Sequence, residues 1–272
     1  MKKIFPIILL TLIIIVCVIL LLKIKQNPEN KENMKEGEKV SNIVENKKTF
    51  IDENSFYSIK TEYPIEILDK NNDIENFIMS NVKQRQEDWK IGGELYNSEK
   101  QLKEEFSDRP DMIYSFDTTY KKIDAKNKGI KNYVFLSYEY TGGAHPNNWT
   151  TTFSFDKNGR IDIQNILDFS DYKDIELTKI LAEKLKGKEF EDRIVSDMLE
   201  QGLGLSYLEK DGKSINKEKC SCDGFFFGSN FQNFYIKDTG ITFIFSPYQI
   251  APYAAGTIEV ELDWELLKPF LK

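Results

Sequence analysis

A chain of 272 residues with 40% hydrophobic and 13% aromatic residues is too apolar and too aromatic for a largely disordered protein. Its formal charge of −7 becomes −11 once the four lysines of residues 1–25 are set aside, because 33 Lys+Arg then face 44 Asp+Glu. That acidity disfavours nucleic acid as a partner and favours a basic one, although an acidic surface also serves solubility alone.

The chain begins Met1, Lys2, Lys3 and continues with nineteen uncharged residues, 4–22, before Lys23 and Lys25. At 1.5 Å per residue such a run just crosses a hydrocarbon layer about 30 Å thick, so residues 1–25 are expected to form a membrane anchor. No A-x-A-like cleavage site precedes the charged flank, which favours an uncleaved signal-anchor over a removed leader. Cys17 is followed by Val18 rather than a small residue, which favours a buried apolar cysteine over a lipid-modified one. The short basic tail favours a single-pass protein of the cell membrane with its bulk extracytoplasmic.

Residues 26–48 are polar and poor in aromatics, the composition of a tether. Alternation then begins at Phe56, Ile59, Tyr63, Ile65 and Ile67, marking one or two strands. The period changes over residues 73–90, where Ile74, Phe77, Ile78, Val82 and Trp89 share one face of a predicted helix. A linker over residues 91–111 leads to two strands, "MIYSFDTTYKKID" and "IKNYVFLSYEY", separated by the turn "AKNKG". "NWTTTFSFDKNGRIDI" predicts a hairpin around "DKNG". Helices follow, with Ile175, Ile180, Leu181 and Leu185 and then Ile194, Met198 and Leu199 facing inward, before a terminal run of strands and a short helix. The order predicts an α+β fold of antiparallel sheets with packed helices, in two adjoining subdomains after an N-terminal transmembrane helix. The expected organisation is an anchor over 1–25, a tether over 26–48, an α+β domain over 49–149 and a second over 150–272.

His145 is the only histidine, and it follows Gly142 and Gly143 and precedes Pro146. The glycines permit positive φ and Pro146 restricts the backbone before it, so His145 has three readings: tying a loop together, touching a partner, or doing chemistry. Glu139 is a candidate to orient the imidazole, but no nucleophile elbow and no HExxH helix accompanies it, and the Gly pair lacks the lysine and helix of a P-loop. A lone histidine leaves a metal site to carboxylates and carbonyls, without EF-hand spacing. No catalytic, metal or cofactor residues are therefore assigned. Glycoside cleavage requires two carboxylates across a groove, and none among the 44 acids has a context that singles it out.

A second distinctive stretch, "SPYQIAPYAAG", offers Tyr248 and Tyr253 between stiffening prolines, with Gly256 permitting close approach. It suits either packing between elements or contact with a ligand. Phe225, Phe226 and Phe227 form either a local plug or an exposed anchor. Cys220 and Cys222 are too few for a structural zinc site and are either unpaired or close a loop.

Together "YEYTGGAHPNNWTTTFSFD", "NFYIKDTGITFIFSPYQIAPYAAG" and "LLKPFL" resemble the extracellular region of RsiV-type anti-sigma factors and the non-catalytic N-terminal region of PdaC-type peptidoglycan deacetylases. The resemblance covers residues 50–272. It marks residues 141–145 and the loop from Pro247 to Gly256 as signature segments, without a catalytic role. It implies lysozyme recognition, as in the RsiV-like members, or attachment to peptidoglycan, as beside a deacetylase. Only three residues precede the apolar run and no deacetylase domain follows, so neither sigma-factor binding nor deacetylation is expected of this chain. The leading expectation is a non-enzymatic, membrane-anchored envelope sensor recognising lysozyme or another basic protein. The alternative is a peptidoglycan-binding accessory module, and a cell-wall hydrolase stands third. Gly142, Gly143, His145, Tyr248, Tyr253 and Gly256 are the candidate partner-contact or loop-shaping residues.

Overall fold

A computed structural model describes residues 38–44, 47–66, 72–106, 113–220 and 226–272. Among them no helix is long and apolar enough to cross a membrane. The expected N-terminal transmembrane helix, and with it the single-pass location and the bilayer as a partner, has no counterpart among the described residues. The apolar run 4–22 itself lies outside the described residues.

The fold is α+β, built on two sheets. The first has seven strands in chain order: β1 (Glu38–Val44), β2 (Lys47–Glu53), β3 (Tyr57–Pro64), β4 (Tyr114–Ala125), β5 (Ile130–Tyr140), β6 (Asn147–Asp156) and β7 (Gly159–Ile161). Neighbours are antiparallel except β3 and β4, which are parallel. A parallel pair needs a crossover, and this one carries helices α1 (Asp73–Asp88) and α2 (Glu94–Glu105). β1 lies within the stretch read as a tether, where an edge strand needs only backbone partners on β2.

Helix α1 buries Ile74, Ile78 and Val82, four residues apart and hence one above another, with Asp73 and Glu75 at its positive end and Arg85 in its last turn. These side chains meet the face of the sheet formed by Ile59, Phe116, Tyr133 and Phe135, each at most 1% exposed, to make the first core. Helix α2 occupies the stretch read as a linker. It has no buried residue, and Leu95, Tyr96 and Leu102 are its only apolar side chains, so its sequence reads as a polar linker.

The opposite face of β5 and β6 presents Asn132, Thr152 and Ser154, all buried although polar. They meet the second sheet, β8 (Phe234–Ile236), β9 (Gly240–Phe245) and β10 (Ile258–Asp263), ordered β10-β9-β8. Asn132 donates to the carbonyls of Ile123 (2.8 Å) and Ile236 (2.9 Å) and accepts from Ile236 N–H (3.0 Å) and the Ser154 hydroxyl (2.7 Å). Phe234 N–H donates to Thr152 Oγ1 at 2.9 Å. Val134, Tyr235 and Ile244 supply the apolar part of this contact.

Every residue of β9 is buried, because Ile244 faces the first sheet while Ile241, Phe243 and Phe245 face the second core. That core is closed by α3 (Ile163–Ile166), α4 (Lys173–Leu185), α5 (Ser196–Gly202) and the C-terminal α6 (Trp264–Leu267). On α4 the residues Ile175, Leu177, Leu181 and Leu185 are buried. Leu199 is the buried residue of α5.

Candidate aromatic site where two loops meet

The β5–β6 turn and the loop after β9 come together. Gly142 and Gly143 take φ of 93° and 104°, left-handed backbone that a side chain resists, and so turn the chain between the strands. Tyr140 Oη–H donates to the Gly143 carbonyl at 3.3 Å and braces that turn. His145 stands exposed at its far side. The second loop is anchored where Thr150 N–H donates to Ser246 Oγ at 3.1 Å and Ser246 N–H to Gln249 Oε1 at 3.2 Å. Arg193 donates to the carbonyls of Ala255 (2.6 Å) and Thr257 (2.8 Å), gripping the chain on either side of Gly256, whose φ is 67°.

These anchors place His145, Tyr248 and Tyr253 in mutual contact. The imidazole lies over the Tyr253 ring, 4.0 Å between centroids and 17° from parallel. Tyr248 is tilted against both, at 5.8 Å from His145 and 5.6 Å from Tyr253, and is 55% exposed. His145 Nδ1 is 3.0 Å from the Pro146 carbonyl, which only accepts, so Nδ1 carries a proton and donates. In the neutral ring Nε2 is then an acceptor, and Tyr248 Oη–H donates to it at 2.9 Å. Asn148 Nδ2 donates to Tyr253 Oη at 2.8 Å. Tyr248 holds φ of 68°, a conformation that costs a non-glycine residue about 1–3 kcal/mol and is retained by the contacts around it.

Of the six candidate residues, the structure brings the three rings together and puts the three glycines at left-handed positions in the loops that carry them. No motif in the sequence singles out Asn148, Tyr138 and Asp117. Cross-strand register puts Tyr138 opposite both Asn148 and Asp117, on the face beside the rings. Tyr138 is 37% exposed, and burial pushes the Asp117 carboxyl up, opposed by Lys60 and reinforced by Glu53. Glu139, considered as a carboxylate to orient the imidazole, points to the other face and pairs with Arg85 at 3.0 Å. The Arg85 guanidinium lies 4.1 Å from the Phe116 centroid and 5.5 Å from that of Trp149, underneath the turn.

Elsewhere, Cys220 is in a disulfide whose partner lies outside the described residues. Phe227 is buried and Phe226 is 44% exposed, while Phe225 lies outside the described residues. Among the described residues no group of three or more His, Cys, Asp or Glu is placed to hold a metal ion.

Comparison with known proteins adds two family matches, each over part of the chain. Residues 51–148 match the family model described as Deacetylase PdaC, and residues 169–265 match a protein family of unknown function, DUF3298. No curated protein matches the chain. A DUF3298 family member from Bacteroides fragilis NCTC 9343 is similar in structure, with a TM-score of 0.53 and 21% identity over 87% of this chain and 92% of that one. A DUF3298 family protein from Pseudomonas aeruginosa PAO1 aligns with a TM-score of 0.44 and 14% identity, over 87% of this chain and 94% of that one. At these identities the likeness to the first shows the fold alone.

Two expectations are corrected. The family matches describe a PdaC-type segment and a DUF3298 segment, and the expectation of an anchored lysozyme sensor gives way to that paired-domain reading. The deacetylase description of the first model likewise withdraws the assignment of the chain as non-enzymatic. The chain pairs a PdaC-type segment with a DUF3298 segment.

Proposed function

We propose that the chain is a peptidoglycan-binding accessory module whose contact surface is the cluster of His145, Tyr248 and Tyr253. The observation that carries this reading is the stacking of His145 on Tyr253 with Tyr248 exposed beside them. Rigid, amphipathic rings suit the C–H faces of sugars, and surrounding hydroxyl, amide and carboxyl groups suit their hydroxyls. Tyr138, Asn148 and Asp117 supply such groups on the adjoining face. The match of residues 51–148 to a model described as a deacetylase supports a ligand bearing acetyl groups.

The test is calorimetric titration of the chain with chitotetraose and with soluble muropeptides. Binding with Kd on the order of 0.1 mM, weakened about tenfold in Tyr253→Ala at unchanged fold, supports the reading. Absence of heat with both ligands, or equal binding by the variant, overturns it. The same description of the matched model favours a second reading, deacetylation at this surface. Acetate released into the titrated sample, and abolished in His145→Ala, would establish it.

A further inference from the structure

The end of β5 away from His145 borders a groove of about 600 Å³, between the first sheet and the second core. Ile130 starts β5 and Tyr140 ends it, so about 35 Å of extended strand separates the two places. Four isoleucines, 130, 161, 166 and 236, give the groove an apolar floor. Asn158 and Asn165 stand exposed on its rim with Lys128 and Arg160. The volume and the mixture of apolar floor with a few polar groups are those of small-ligand sites.

The charges on the rim are not equally committed. Asp156 accepts from the backbone and side-chain nitrogens of Asn158 at 2.7 and 3.2 Å. Arg160 is paired with Asp73 at 3.2 Å and Asp162 at 3.1 Å. The Lys128 ammonium instead sits 4.2 Å from the centroid of Trp264, and among the described residues no carboxylate pairs with it. The Trp264 indole N–H donates to the Asp238 carbonyl at 2.9 Å, which fixes the ring and leaves its face to Lys128.

We infer that this groove is a second binding site and that its ligand is an acidic sugar chain. A pyranose ring takes the face of Trp264 now covered by Lys128, and its carboxylate takes the displaced ammonium. Asn158 gives one amide N–H to Asp156 and Asn165 Oδ1 accepts from Asp162 N–H at 2.9 Å, which leaves the Asn158 oxygen and second N–H and the Asn165 amide nitrogen for sugar hydroxyls. A fatty acid would satisfy Lys128 but leave those amides and the flat indole unused. The inference stands on different residues from the His145 cluster and does not rest on its reading.

The probe is a tetrasaccharide of alternating N-acetylglucosamine and glucuronate, titrated against the full chain by tryptophan fluorescence and calorimetry at low salt, with neutral chitotetraose in parallel. The expected result is a change in Trp264 emission with the acidic probe that saturating chitotetraose does not reverse. Lys128→Gln should weaken that binding tenfold or more with an unchanged unfolding midpoint, because Lys128 is exposed, and His145→Ala should leave it unchanged. Trp264→Phe should remove most of the fluorescence response. No binding of the acidic probe, or equal binding by Lys128→Gln, overturns the inference.

Discussion

The imidazole of His145 and the phenol of Tyr253 lie face to face, 4.0 Å between centroids, although one belongs to the turn of the seven-stranded sheet and the other to a loop of the three-stranded sheet. A site shared in this way depends on how firmly the two sheets are joined and on how each loop is held.

Tyr248 pays a backbone cost to place its hydroxyl 2.9 Å from His145 Nε2. Alanine at this position would keep the strain and lose the contact, whereas glycine would lose both. Tyr248→Gly is therefore expected to be more stable than Tyr248→Ala by about 1 kcal/mol, measured by urea unfolding. Equal stability of the two variants would show that the left-handed conformation is not retained in solution.

Asn132 joins the sheets through four hydrogen bonds inside a buried interface. Removing its amide strands the Ile236 N–H and two carbonyls away from water, so Asn132→Ala should cost about 2–4 kcal/mol. Asn132→Asp should be at least as damaging at neutral pH, because it turns an oxygen toward the carbonyls of Ile123 and Ile236. An unfolding midpoint within a degree of the parent for either variant would refute this role.

The sequence showed the parts of these arrangements better than their meeting. The period of Ile74, Ile78 and Val82 marks α1 because that helix buries a single stripe, and the two aromatic loops stand out by their glycines and prolines. The contact between His145 and Tyr248 spans 103 residues, and no local pattern encodes it. Thr152 and Ser154 alternate with Phe153 and Phe155 as a solvent face would, yet they are buried because the second sheet supplies backbone partners there. Helix α2 was illegible for the opposite reason: with Leu95, Tyr96 and Leu102 as its only apolar residues and none of them fully buried, its composition is that of a solvated linker.

Arg85 and Glu139 form a contact of opposite charges beneath the β5–β6 turn, with side chains 11% and 22% exposed. The guanidinium also stacks on Phe116 and donates to Asn81 Oδ1 at 3.0 Å. Arg85→Gln leaves Glu139 half-buried without its cation and should cost about 2–3 kcal/mol. Arg85→Lys keeps the charge but not the flat stacking, and should recover only part of that loss. Thermal unfolding of the two variants with Glu139→Gln in a double-mutant cycle measures the coupling, and additive effects would remove it.

Glu66 lies between Lys122 at 2.7 Å and Lys131 at 2.6 Å, and hydrogen bonds from these two ammonium groups pull its carboxyl down to about 2. A carboxylate depressed in the folded state adds stability that is complete above its ordinary value near 4.5 and disappears as pH falls toward 2. Glu66→Gln should thus be less stable than the parent at pH 7, with the gap closing between about pH 4.5 and 2. A gap that persists unchanged at pH 2 would mean that Glu66 acts through packing rather than charge.

Gly202 ends α5 directly against the loop that carries Tyr248. A Cβ placed there would lie 1.7 Å from the Gln249 carbonyl oxygen and 3.2 Å from the Ile250 Cα, both backbone atoms that cannot rotate away. Gly202→Ala must therefore push the 246–250 loop outward or shift the end of the helix. Overpacking of this kind costs at least about 2 kcal/mol, and the displaced Tyr248 should lose its bond to His145. The variant is expected to lower the unfolding midpoint and to weaken chitotetraose binding about tenfold, while acidic-tetrasaccharide binding at Lys128 stays unchanged. The two sites then respond separately to one change. Unaltered stability together with unaltered chitotetraose binding would show that the loop does not rest on the helix end.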